Sequence, residues 1–171
     1  MVVIGPGSLF TSIVPNLLIS GITAALAKSS AFKVYVCNVA EEPGQTEGYS
    51  VSEHLDVVRH YGGANAVHAV VANLNLPKGP TPAGLDFISV DKPWCDDVLL
   101  VESDVIDDSS ADRTARHDSV KLSHAIAQAY RKYRGNRRRL PRIRLEAPSS
   151  RSTFEHQVDN SDKQTESVNS P

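Results

Sequence analysis

The chain is 171 residues long, 40% hydrophobic, 22% charged and 6% aromatic, with a formal net charge of −2. That apolar share suits one packed domain and excludes wholesale disorder. No apolar run approaches the roughly 20 residues a membrane-spanning helix needs, and Cys37 and Cys95 have no CxxC spacing that would make a zinc cluster or a disulfide scaffold.

The first element predicted is a short strand, Val2-Val3-Ile4, giving way at once to Gly5-Pro6-Gly7-Ser8. This start has neither the basic region nor the long apolar region of a signal peptide, so a soluble protein of a reducing cytoplasm is expected. Ile13 to Ile19 and Ile22 to Ala27 read as helix, with Pro15 in the first turn, where its missing N–H has no partner to lose. Phe32 to Val39 is a β-branched run of buried-strand length. After a turn-rich loop from Glu41 to Tyr49, Ser50 or Ser52 caps a helix from Val51 to Tyr61. Its apolar positions Val51, Leu55 and Val58 recur at helical spacing, and Gly62-Gly63 stops it. Ala66 to Leu74 is another strand, Phe87-Ile88-Ser89-Val90 a short extended piece, and Asp97 to Val101 a further strand at an edge. The last helix is expected over His117 to Tyr133, with Val120, His124, Ala127 and Tyr130 as its pattern.

Charge is unevenly spread. Residues 1–130 hold 8 Lys and Arg against 15 Asp and Glu, whereas residues 131–144 hold 8 basic residues and no acidic one. A basic run at a helix end is read as solvated and favourable to the helix dipole, so neither nucleic acid nor a membrane is an expected partner. Residues 141–171 read as a disordered polar tail behind a domain of residues 1–140. Strands alternating with helices imply βαβ crossovers and an α/β, Rossmann-like three-layer fold with a mainly parallel sheet. The chain begins inside its first strand and offers three or four strands where such sheets carry five or six, so the fold is expected to be incomplete at the N-terminus.

Three segments could carry chemistry. Gly5-Pro6-Gly7-Ser8, with Thr11 and Ser12, is a glycine-rich strand-to-helix turn, where backbone N–H groups and hydroxyls suit a phosphate; a plain capped turn is the alternative. It is neither a Walker loop nor a GxGxxG fingerprint. Asn38, at the end of the second strand, could read a base or sugar edge, and Tyr49 could stack, unless this is an ordinary loop. Arg116-His117-Asp118 could clamp a phosphate, with Asp118 as a helix cap or a ligand to Mg²⁺.

In their order and wording, these segments resemble the gluconeogenesis-factor (YvcK) branch of the 2-phospho-L-lactate transferase (CofD)-like family. The resemblance runs from Gly5-Pro6-Gly7-Ser8-Leu9-Phe10-Thr11-Ser12 through Val36-Cys37-Asn38-Val39 and Pro43-Gly44-Gln45-Thr46-Glu47-Gly48-Tyr49 to Arg116-His117-Asp118. It implies a nucleotide site at the carboxyl ends of the strands. Gly5, Pro6, Gly7, Ser8, Thr11 and Ser12 would face phosphates, Asn38, Thr46 and Tyr49 would line the base or sugar side, and Arg116 would offset phosphate charge. This branch implies a UDP-sugar ligand and a regulatory role touching central carbon metabolism, cell-wall synthesis and cell shape, with a homo-oligomer as a further expectation. The transferase branch instead implies phospholactyl transfer from a nucleotide-activated donor to a deazaflavin acceptor, with Mg²⁺. Family members open with a Gly-Gly-Gly-Thr-Gly loop that does not occur here, so the chain is expected to match the C-terminal portion.

Overall fold

The computed structural model describes residues 1–75, 86–91, 94–107 and 115–136; the expected tail at 141–171 lies outside them. Four strands, β1 (Val2–Ile4), β2 (Lys33–Val36), β3 (Ala69–Asn73) and β4 (Leu99–Ser103), form one sheet in the order β1-β2-β3-β4. Every pairing is parallel, with Val3 opposite Val34, Tyr35 opposite Val70, and Val70 opposite Leu100. The central strands are buried on both faces, as their β-branched runs require. The regular strands are shorter than the apolar runs that announce them.

Period-two alternation sorts the core into two layers. Tyr35, Cys37, Val70 and Ala72 pack with helices α1 (Val14–Leu17), α2 (Ser20–Lys28) and α3 (Val51–Gly62). Val34, Ala69, Val71 and Val101 pack instead with α4 (Ser119–Asn136). Helices on both faces of a parallel sheet make the expected three-layer α/β architecture.

The first helical segment starts earlier than its sequence pattern suggests and is broken. A π-helical turn over Leu9–Ile13 leads into α1, and Pro15 sits in that helix's first turn. At Leu18 and Ile19 the path bends, so that α2 leaves at 74° to the preceding segment. Ile19 is extended, and the weak helix formers Ser20 and Gly21 follow it. Among the described residues no single helix is long and apolar enough to cross a membrane.

Helix α3 opens with a capping box. Ser50 Oγ accepts from the Glu53 N–H, and Glu53 Oε2 accepts from the Ser50 N–H at 2.8 Å. Ser52, the other candidate cap, bonds Asp91 instead. The extended piece at Phe87–Val90 crosses the start of α3: Ile88 N–H donates to Val39 O, and Val51 N–H to Ser89 O.

Helix α4 exists as predicted, but its buried face is a different one. Val120, His124 and Ala127 face solvent and Tyr130, though exposed, has its ring 5.5 Å from that of Phe32, while Ala125 and Ala129 are fully buried against the sheet and Leu122, Ile126 and Tyr133 pack beside them. Small alanine side chains let the helix axis approach the strands closely, so the stripe nearest the core is the least bulky one. Tyr133 lies within the basic run, and its ring stacks on His68 and tilts against Phe32. Arg131, Lys132 and Arg134 stay exposed at the C-terminal end of α4, where positive charge complements the helix dipole. The rest of the basic run lies outside the described residues.

Candidate functional site

The site is built at the carboxyl ends of β1 and β2, from three loop segments. The first leaves β1 at Gly5, which has φ of 80°; a Cβ there would sit 2.8 Å from the Val36 carbonyl oxygen. Only glycine allows the exit from β1 to pass this close to β2. A cis Gly5–Pro6 bond follows. The Ser8 carbonyl then accepts from the N–H groups of Ser12 and Ile13 at 3.0 and 2.9 Å, opening the π-helical turn. The Ser8 hydroxyl does not cap that turn; it donates to Gln45 Oε1 at 3.1 Å, on the second segment.

The second segment leaves β2 through Cys37 and Asn38. Cys37 is fully buried, and burial pushes its thiol up to about 12, which makes it an inert core group. Asn38 Nδ2 donates to Glu42 Oε1 at 3.4 Å. The chain then folds on itself: the N–H groups of Gln45 and Thr46 both donate to Glu42 O at 3.0 Å, and the Glu42 N–H donates to Thr46 Oγ1 at 2.9 Å. Glu41 Oε2 accepts from the Gly48 N–H at 2.9 Å.

The third segment enters α4. Asp107 N–H donates to Arg116 O at 2.8 Å, and His117 pairs antiparallel with Ile106. His117 Nε2 lies 3.2 Å from Cys37 O. Burial holds its imidazole below the ordinary histidine value, against the pull of that hydrogen bond. Asp118 Oδ1 accepts from the N–H groups of Val120 and Lys121 at 2.9 and 2.8 Å, so its carboxylate is the helix cap.

Together the segments line a cavity of about 540 Å³: Pro6, Gly7 and Ser8 from the first, Asn38 to Glu42 from the second, and Ala115 to His117 from the third. Five of the ten residues expected to face a ligand line it, namely Pro6, Gly7, Ser8, Asn38 and Arg116. The other five do not. Gly5 shapes the turn beneath the cavity, and Thr11 and Ser12 are exposed on the helical turn outside its lining. Thr46 is buried with its hydroxyl spent on the Glu42 N–H. Tyr49 packs edge-on against Phe10 and His54, in the core layer on that side of the sheet. Glu41 and Glu42 line the cavity although nothing in the sequence singled them out, beyond being an acidic pair just past a strand end.

The lining is thus split in character. The Gly7–Ser8 backbone and Arg116 offer donors and positive charge, while Glu41 and Glu42 offer carboxylates. Glu42 Oε2 and His54 Nε2 are buried without a hydrogen-bond partner. Among the described residues no three His, Cys, Asp or Glu side chains gather into a metal site, and Asp118 is committed to α4.

Comparison with known proteins agrees with this architecture. A family model described as 2-phospho-L-lactate transferase CofD matches residues 1–134. The chain is 37% identical over 139 residues to a Thermotoga maritima protein named "Putative gluconeogenesis factor", covering 77% of this chain and 44% of that protein. It is 36% identical over 134 residues to a protein of the same name from Clostridium acetobutylicum, covering 74% and 29% respectively. A crystal structure of a UPF0052-family protein from Bacillus halodurans superposes with a TM-score of 0.59 at 31% identity, covering 73% of this chain and 42% of that one. The chain therefore spans less than half the length of these relatives. With the family match running through all three loop segments, the chain belongs to the CofD-like family, among its gluconeogenesis-factor relatives.

Proposed function

We propose that the chain contributes to a nucleotide-sugar site of the UDP-sugar class, in a cytoplasmic regulatory protein linked to central carbon metabolism, cell-wall synthesis and cell shape. The observation that carries this reading is convergence. Segments lying between residues 6 and 117 of the sequence, each a candidate for ligand contact, meet around one cavity of about 540 Å³. That volume is within the range of small-molecule pockets, roughly 300–1,000 Å³. The Gly7–Ser8 backbone and Arg116 suit a diphosphate, and Asn38 has both a donor and an acceptor for a base or sugar edge. Calorimetric titration of the full chain with UDP-N-acetylglucosamine tests the reading. Saturable binding that weakens in Arg116→Ala is the expected result, and an absence of binding removes the reading.

A second reading, transfer of a phospholactyl group from a nucleotide-activated donor to a deazaflavin acceptor, is favoured by the family model that matches residues 1–134. Formation of the phospholactyl-deazaflavin product would put it first.

A further inference from the structure

We infer that Gln45 is a positioning residue for the phosphate side of this cavity, holding the Gly5–Ser8 loop in place through the Ser8 hydroxyl. The inference deepens the nucleotide reading above and rests on it. His117 ties the third segment to the second through Cys37 O. The corresponding tie between the first and second segments is Ser8 Oγ donating to Gln45 Oε1 at 3.1 Å, across 37 positions of sequence. Gln45 does not itself line the cavity. Its place is set by a local turn, in which its own N–H donates to Glu42 O at 3.0 Å while the neighbouring Thr46 is buried and accepts from the Glu42 N–H. The acceptor is therefore carried on a fixed frame.

Ser8 is held by the following turn through its carbonyl alone, which accepts from the Ser12 and Ile13 N–H groups. Its hydroxyl makes no capping bond to the turn that follows. With that proton given to Gln45, the loop meets a phosphate through the backbone N–H groups of Gly7 and Ser8, and Gln45 adds to the carbonyl bonds of Ser8 the one side-chain tie that ranges this backbone against the second segment. A glutamine there acts without touching the ligand.

The test is calorimetric titration of the full chain and its variants with UDP-N-acetylglucosamine, with thermal melts in parallel. Gln45→Ala should weaken binding about five- to tenfold, the scale of one hydrogen bond, while the melting temperature moves by only a few degrees. Gln45→Glu keeps an oxygen acceptor for Ser8 Oγ–H and should return affinity to within about threefold of the unaltered chain. Ser8→Ala combined with Gln45→Ala should lose no more than Gln45→Ala alone, because both changes cut one link. Undiminished binding by Gln45→Ala, failure of Gln45→Glu to rescue, or additive losses in the double variant would each overturn the inference. An unaltered chain that binds neither UDP-N-acetylglucosamine nor GDP would instead remove the nucleotide reading, and this inference with it.

Discussion

His117 Nε2 lies 3.2 Å from the Cys37 carbonyl oxygen, joining residues 80 positions apart at the carboxyl end of β2. A carbonyl only accepts, so Nε2 carries the proton, and the neutral ring keeps its lone pair on Nδ1. This bond fixes the entry of α4 against β2 and sets Arg116, the preceding residue, beside the cavity. His117→Ala should cost about 1–2 kcal/mol of folding stability, from the lost bond and the desolvated carbonyl left behind. It should also weaken ligand binding, because Arg116 loses its anchor. Urea denaturation and calorimetry read the two effects separately; stability and affinity both unchanged would strip the contact of any role.

Gly5 and Gly7, two positions apart, predict opposite kinds of failure. At Gly5 a side chain meets both a φ of 80° and the Val36 carbonyl at 2.8 Å. Gly5→Ala should therefore destabilise the fold by about 1–2 kcal/mol or more from the left-handed backbone alone. At Gly7 an added Cβ finds ordinary contacts, 3.5 Å from Ser12 Cβ and 3.8 Å from Ile13 Cδ1. Gly7→Val should melt close to the unaltered chain yet lose nucleotide affinity, since bulk at this lining position hinders close approach of a phosphate to the backbone. A Gly7→Val protein that binds as before would place the phosphate elsewhere.

The histidines set a pH dependence whose direction follows from their surroundings. Burial pushes both His54 and His117 below the ordinary histidine value. The unfolded chain takes up these protons near pH 6.5, while the folded chain resists until lower pH. Between those points the unfolded state binds more protons, so stability falls as pH drops below about 6.5, and above about 7 these groups add no slope. The urea midpoint should be lower at pH 5.5 than at pH 7.5. His54→Leu should reduce that difference, because it removes one of the two titrating imidazoles while the backbone N–H of residue 54 keeps its bond to Ser50 O at 3.1 Å. A midpoint that rose on acidification would mean that these imidazoles are charged in the folded protein.

These sites also mark where sequence reading reaches and where it stops. The run from Phe32 to Val39 announces β2 because β-branched residues buried on both faces leave a local signature, and Ser50 and Ser52 announce the start of α3 because a cap adjoins the helix it opens, although only the structure selects Ser50, with Glu53, over Ser52. The meeting of Gly7, Asn38 and Arg116 around one cavity was legible for a similar reason: residue types that suit a ligand sit at element ends. The buried face of α4 was not legible. Val120 carries more apolar surface than Ala125, yet the sheet takes the alanines because close approach favours the smaller side chain. Thr46 and Tyr49 look like ligand contacts in a loop, but the loop folds inward, toward Glu42 and His54, through contacts that no local pattern encodes. Gln45 was overlooked because its partner lies 37 residues away.

Arg116 gives the sharpest test of which ligand the cavity takes. Its side chain is exposed at the cavity rim, so its removal should change folding stability little, as surface charges contribute about 1 kcal/mol or less. A charge-assisted bond to a phosphate is worth more, about 1.5–3 kcal/mol, so Arg116→Ala should weaken nucleotide binding roughly ten- to a hundredfold. Arg116→Lys keeps the charge but loses the planar fork, and should recover only part of that affinity. The same three proteins titrated with UDP-N-acetylglucosamine and with GDP separate the two readings. Loss confined to the UDP-sugar supports the regulatory reading, whereas loss confined to GDP favours the transferase. Affinity that ignores position 116 in both titrations would return Arg116 to the role of a residue at the entry of α4.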